Sequence, residues 1–154
     1  MKKSLIIVFL LGFLMFSITS GWCQDETMIE MTLAKFYNDV QLGNVNQMYM
    51  LFTPEVAEKV KKGASVPDIL GDVSSVFGWA EAVKRDNAKV FISGVNYNIQ
   101  KMTADTAMVK TMFDSIIVRD GKLFNNDGTH KINMVKMDGM WLIQDVSDDM
   151  KEKR

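Results

Sequence analysis

The sequence predicts an α+β domain, with helices in its first half and antiparallel strands in its second. Three observations lead there. Up to Val83, apolar residues recur every three or four positions, the period of one helix face. After Asn87 the period drops to two, with Val95, Tyr97 and Ile99 alternating with Asn96, Asn98 and Gln100. Residues 131–146 then fold about Asp138-Gly139, a two-residue turn whose positive φ angles suit the twist of a hairpin. Helices first and strands after, with no alternation between them, is an α+β order.

The chain has 154 residues, and residues 1–23 read as a secretory signal peptide. Lys2 and Lys3 form the positive start, residues 5–18 an apolar run, and Thr19-Ser20-Gly21 the small residues before a cut after Gly21 or Cys23. The run falls short of the ~20 residues that span a bilayer. The expectation is therefore export to the periplasm or beyond, from a bacterial cell. A lipid anchor on Cys23 would want a small residue just before the cysteine and an aliphatic one three before it. Trp22 and Ser20 stand there instead, so membrane attachment through Cys23 is the lesser alternative. Cys23 is also the sole cysteine, which rules out an internal disulfide. Residues 24–154 suit a single domain. Their 16 basic and 19 acidic residues lack the basic footprint that nucleic acid requires.

In the mature chain, Asp25-Glu26-Thr27 offers capping and acidic first-turn residues for a helix. Ile29, Leu33, Phe36 and Val40 make its apolar stripe, with Tyr37 on the shoulder and Gly43 as the stop. Asn46 is placed to cap a short helix carrying Met48, Leu51 and Phe52. Thr53-Pro54 starts another, with Val56 and Val60 inward and Lys61-Lys62-Gly63 ending it. Pro67 opens a longer helix striped by Ile69, Val73, Val76, Phe77, Ala80 and Val83, with Trp79 at its edge and a break expected near Gly78.

Among the strands, Gly94 sits where the alternation slips and reads as a bulge. Thr103-Ala104-Asp105 turns the chain into a long strand over 107–119. Residues 120–128 read as a polar excursion with two Asp-Gly steps, Leu123 and Phe124 forming a brief return. In the closing hairpin, the turn sets Met137 against Met140, Lys136 against Trp141, Val135 against Leu142 and Met134 against Ile143. One face then carries Val135, Met137, Met140 and Leu142, the other Ile132, Met134, Trp141 and Ile143. Both are apolar, which predicts cover on each side and, through the sheet's outer face, a homodimer. Residues 147–154 read as a solvated tail.

Two segments, Ala104-Asp-Thr-Ala-Met-Val-Lys110 and Met134-Val-Lys-Met-Asp-Gly-Met-Trp141, resemble the strand entry and closing hairpin of the nuclear transport factor 2-like superfamily. The resemblance spans about residues 28–146 and is nearest to small exported bacterial members with no assigned function. It implies helices packed into the concave face of a curved, cone-shaped antiparallel sheet, the cystatin-like roll. In such a cone Phe36, Tyr37, Trp79, Tyr97 and Phe113 are the candidate pocket-lining residues. The superfamily includes isomerases, dehydratases and cyclases that use an Asp or His base with a Tyr donor. The residue types for that chemistry here are Tyr37, Tyr97, Asp114, His130 and Asp145. They form no motif of an active family, so no catalytic residue is assigned. The tyrosines read as core or pocket wall, Asp114 and Asp145 as exposed strand residues, and His130 as a surface residue at a strand start.

The remaining chemistries find little in the sequence. Eleven methionines follow residue 23, in Met28-x-x-Met31, Met48-x-Met50 and Met134-x-x-Met137-x-x-Met140 among other places. Thioethers bind Cu(I), but the last cluster splits across two hairpin faces, and gap-filling in core and interface explains the rest. The chain has no His/Cys cluster for zinc, no acidic loop spaced for calcium, no phosphate-binding glycine loop and no nucleophile elbow. No cofactor or metal is expected. The sequence thus favours a non-catalytic exported domain that binds a small apolar ligand or a protein partner. The alternatives are a pocket enzyme of the isomerase or lyase kind and a purely structural domain of the cell envelope.

Overall fold

The computed structural model describes residues 2–62, 80, 83, 84 and 88–148, with side chains from Trp22 onward except at 119, 124, 126, 127 and 148. Among the described residues, three helices, α1 (Lys2–Leu42), α2 (Val45–Tyr49) and α3 (Pro54–Lys61), precede four strands, β1 (Lys89–Met102), β2 (Thr106–Arg119), β3 (Lys122–Met137) and β4 (Met140–Asp148). The strands form one antiparallel sheet in chain order. Phe52 adds a single parallel bridge to the outer edge of β4. There Ile143 N–H donates to Leu51 O (2.8 Å) and Thr53 N–H to Ile143 O (2.9 Å).

The helix start expected at residues 25–27 is not a start. Helix α1 runs through that point because no Gly or Pro breaks it after Gly21, and the Thr27 hydroxyl donates back to Cys23 O at 3.0 Å. The Asp25 carboxylate faces the hairpin instead of capping backbone. Ile29, Leu33, Phe36, Tyr37 and Val40 are all buried, as the stripe requires. Burial of side chains this size stabilises by roughly 1.5–3 kcal/mol each as an upper bound. At the helix end Gly43 takes φ +67°, Gly43 N–H donates to Val40 O and Asn44 N–H to Asp39 O, the paired bonds of a left-handed C-terminal cap.

The second helix begins at Val45, after Asn44, so Asn46 lies inside it and does not cap it; Leu51 and Phe52 lie beyond its end in the bridge to β4. Pro54 opens α3, and Val56 and Ala57 are buried. The helix expected over 67–83, with Trp79 and the break at Gly78, falls almost wholly outside the described residues. Of its stripe, Ala80 is buried and Val83 packs on the core. Among the described residues, no helix is long and apolar enough to cross a membrane.

Three bulges keep the sheet's apolar residues in phase. Between Ser93↔Asp114 and Asn96↔Met112, Gly94 and Val95 oppose one residue of β2, with Gly94 at φ +62°. The extra residue moves the inward set from Val90 and Ile92 to Val95, Tyr97 and Ile99; without it Asn96 and Asn98 would face the core. Gln100 and Gln144 are the extra residues at the other two bulges, and Gln144 lets both Ile143 and Val146 point inward.

The closing hairpin has the predicted register and faces. Ile132, Met134, Trp141 and Ile143 are buried, while Met137 and Met140 are exposed on the outer face. The polar excursion is corrected. Asp120-Gly121, at φ 52° and 71°, makes the same tight turn as Asp138-Gly139, and β3 runs unbroken from Lys122. The expected tail is corrected as far as Asp148, which pairs with His130 in β4; residues 149–154 lie outside the described set.

Candidate functional site

The inner face of β2 carries Ala107, Val109, Thr111, Phe113 and Ser115, all buried. Across β2 and β3, Thr111 pairs with His130 and Phe113 with Gly128. Gly128 is required there, because a Cβ would stand 2.2 Å from the Phe113 ring. The phenyl group therefore lies over the β3 backbone beside His130, ring centres 4.8 Å apart. Helix α1 brings Tyr37 down on the same spot. Its hydroxyl lies 2.6 Å from Thr111 Oγ1 and 2.9 Å from His130 Nδ1, and its ring stacks with the imidazole at 6.0 Å. Phe36 and Phe113 close the cluster with ring centres 5.1 and 5.2 Å from Tyr37.

His130 is thus 2% exposed in mid-strand, which corrects the expectation of a surface residue at a strand start. A phenol carries one proton, so Tyr37 donates to one neighbour and accepts from the other. In one arrangement Thr111 donates to Tyr37, which donates to His130 Nδ1; in the other, protonated Nδ1 donates to Tyr37, which donates to Thr111. Either way, the three groups form one directional chain.

The other singled-out residues lie elsewhere. Asp114 is exposed on the outer face, and half-buried Asp145 accepts a long bond from Asn133 Nδ2 at 3.4 Å. Tyr97 is half-buried on β1. Burial, then the negative charge of Glu30, pushes its phenol above the usual range. Of the five candidate pocket residues, Phe36, Tyr37 and Phe113 meet around His130, Tyr97 sits along β1, and Trp79 is outside the described residues.

A second polar cluster had no sequence signal. Asp25 Oδ1 accepts from Lys136 Nζ at 2.6 Å and from Trp141 Nε1 at 3.0 Å, with the ammonium over the indole. The two hydrogen bonds, Lys136 first, hold the carboxyl below its usual range. This pins the α1 segment just past the predicted leader to the closing hairpin. Among the described residues, no three His, Cys, Asp or Glu side chains converge as a metal-binding group. An open cleft of about 280 Å³, lined by Lys101, Thr106, Met108, Asn133 and Gln144 among others, lies at the β1–β2 turn and holds none of the Tyr37 cluster.

No protein-family model and no curated protein match the sequence. Solved structures do match. A nuclear transport factor 2-like protein with a cystatin-like fold from Novosphingobium aromaticivorans superposes with TM-score 0.60 at 9% identity, over 90% of each chain. A protein of unknown function from Mycobacterium tuberculosis gives 0.57 at 13% identity, over 85% of this chain and 73% of the other. A nuclear transport factor 2-like protein from Streptomyces avermitilis, provisionally named a dehydratase, gives 0.55 at 14% identity, over 81% and 95%. With helices on one face of an antiparallel sheet and these superpositions, the chain has the nuclear transport factor 2-like fold.

Proposed function

We propose that this chain is an exported domain whose inner sheet face holds a small, largely apolar molecule, with the Tyr37–Thr111–His130 chain as its polar anchor. One observation carries the reading: three hydrogen-bonding side chains are gathered at one point of a face otherwise lined by aliphatic and aromatic groups. Small-molecule sites have that make-up. Along β1 the same face is only half covered, at Val95, Tyr97 and Ile99, which supplies a side for entry. The signal-peptide pattern read in residues 1–23 supports export, and Trp22, Cys23 and Gln24 are exposed ahead of the first core residue, Ile29. The test is native mass spectrometry of the processed chain recovered from its export compartment, beside a Tyr37→Phe variant. A retained small molecule in the wild type that the variant loses supports the reading. An empty wild type that also ignores apolar probe dyes in titration overturns it.

A second reading, an isomerase or lyase, is favoured by His130 pointing inward against Tyr37, the geometry such acid–base chemistry requires. It predicts that the His130 imidazole exchanges protons with solvent as pH changes. NMR of the ring through pH 5–8 decides: a ring that never titrates and never exchanges has no role in proton transfer.

A further inference from the structure

The cleft at the β1–β2 turn lies where two strands of the sheet are bulged at the same level. Lys101 pairs with Met108 and Met108 with Asn133, so the three make one cross-strand row. The row points away from Ala107 and Met134, which are buried on the inner face. At one end β1 carries the extra residue Gln100 beside Lys101; at the other β4 carries Gln144 beside Asp145, the partner of Asn133. A bulge bends its strand and re-aims the side chains next to it, which is why bulges gather beside active sites. With neighbouring strands about 4.8 Å apart, the row from β1 to β4 is about 14 Å long.

The chemistry of the lining differs from end to end. Among the described residues that line the cleft, Lys101 alone is charged, and its ammonium makes no ion pair or hydrogen bond. The rim beside it is held by the turn itself. Thr103 N–H donates to Thr106 O at 2.8 Å and Thr106 N–H to Thr103 Oγ1 at 3.0 Å, neither engaging the ammonium. Half-buried Met108 forms an adaptable apolar floor in the middle of the row. At the β4 end the exposed Gln144 amide has no hydrogen-bond partner, and Asn133 gives one N–H to Asp145 over a long 3.4 Å. An inorganic anion on Lys101 would leave the apolar floor in water. An anion with an aliphatic body covers both. The volume of about 280 Å³ stands near the lower end of small-molecule sites, roughly 300–1,000 Å³.

We propose that this cleft binds a small aliphatic carboxylate, its charged group on Lys101 and its chain laid over Met108 toward Asn133 and Gln144. The cleft shares no side chain with the Tyr37 cluster, so either site can fail without the other. The test is an NMR titration of the processed chain with octanoate, read at the side-chain amides of Asn133 and Gln144 and at the His130 ring. Octanoate is expected to shift both amides and leave the His130 ring in place. Octanol, which lacks the charge, and acetate, which lacks the chain, are each expected to bind roughly tenfold more weakly or worse. Lys101→Glu should weaken octanoate by a similar factor, and Lys101→Arg should retain it. Lys101 is exposed, and thermal melting checks that both variants fold. Amides that stay unmoved up to the solubility limit of octanoate overturn the site. So does a shift of the His130 ring in their place, which would put the binding on the inner face. Octanol that binds as well as octanoate, or a Lys101→Glu variant that binds like the wild type, overturns the carboxylate.

Discussion

Replacing Tyr37 by Phe removes one oxygen from the centre of the buried cluster and leaves ring packing unchanged. The contacts to Thr111 Oγ1 at 2.6 Å and His130 Nδ1 at 2.9 Å go with it. Each is worth about 0.5–1.5 kcal/mol net in a folded protein, and a buried group left without that partner costs about 1–3 kcal/mol. Thr111 and His130 are at most 2% exposed, so water cannot replace the hydroxyl without local opening. The expected loss is therefore about 2–4 kcal/mol. Urea unfolding of wild type and variant measures it as a shift in midpoint at constant slope. A cycle with Thr111→Val separates the pair: the coupling expected between Tyr37 and Thr111 is roughly 1 kcal/mol. A single-variant loss under about 0.5 kcal/mol, with no coupling, would refute the buried hydrogen-bond chain and with it the polar anchor.

Gly128→Ala is expected to cost about 1–3 kcal/mol or more, because the new methyl would displace the Phe113 ring from the β3 backbone; a neutral melting temperature would show that the ring does not lie there. Asp25→Asn tests the hairpin clamp through pH. The folded-state pKa of Asp25 lies below its unfolded value, so the stabilisation is present above about pH 4 and is lost as pH falls through the lower, folded value. The stability gap between wild type and variant should be constant well above the unfolded carboxylate's pKa and shrink as pH falls through the lower, folded value; a gap unchanged at low pH would remove Lys136 and Trp141 as its cause. Gly94→Ala should destabilise by about 1 kcal/mol, since the bulge needs φ +62° and Asp114 Oδ2 lies 3.2 Å from the added carbon. An unaffected midpoint would count against the left-handed bulge.

The helix stripe, the Gly94 bulge and the register of the closing hairpin were legible because each follows from local chemistry. Spacing gives the first, backbone freedom at one glycine the second, and a two-residue turn the third. The Asp25 clamp was not legible. It joins residues 111 and 116 positions apart, and an aspartate ahead of a helix reads as a cap until the partner strand is in place. The uninterrupted α1 was hidden for a related reason: capping residues are only an opportunity, and a helix already running past them has no orphan N–H groups there to satisfy.

His130 was misread although the sequence holds the signal. Asp120-Gly121 is the same dipeptide as Asp138-Gly139, and a two-residue turn fixes every pairing beyond it. Arg119 must then face Lys122, and eight steps further along each strand Thr111 must face His130. Thr111 alternates in phase with Ala107 and Val109, so the turn alone puts the imidazole on their face. What hid this was the polarity of residues 125–130, which reads as loop. Polar composition is a weak sign at the far end of a sheet, where the outer side meets water and the glycine at 128 makes way for a ring. Turn chemistry states a geometry, while composition states only a tendency. Where the two conflict between apolar strands, the turn is the stronger constraint, and here it carries a histidine from the surface into the core.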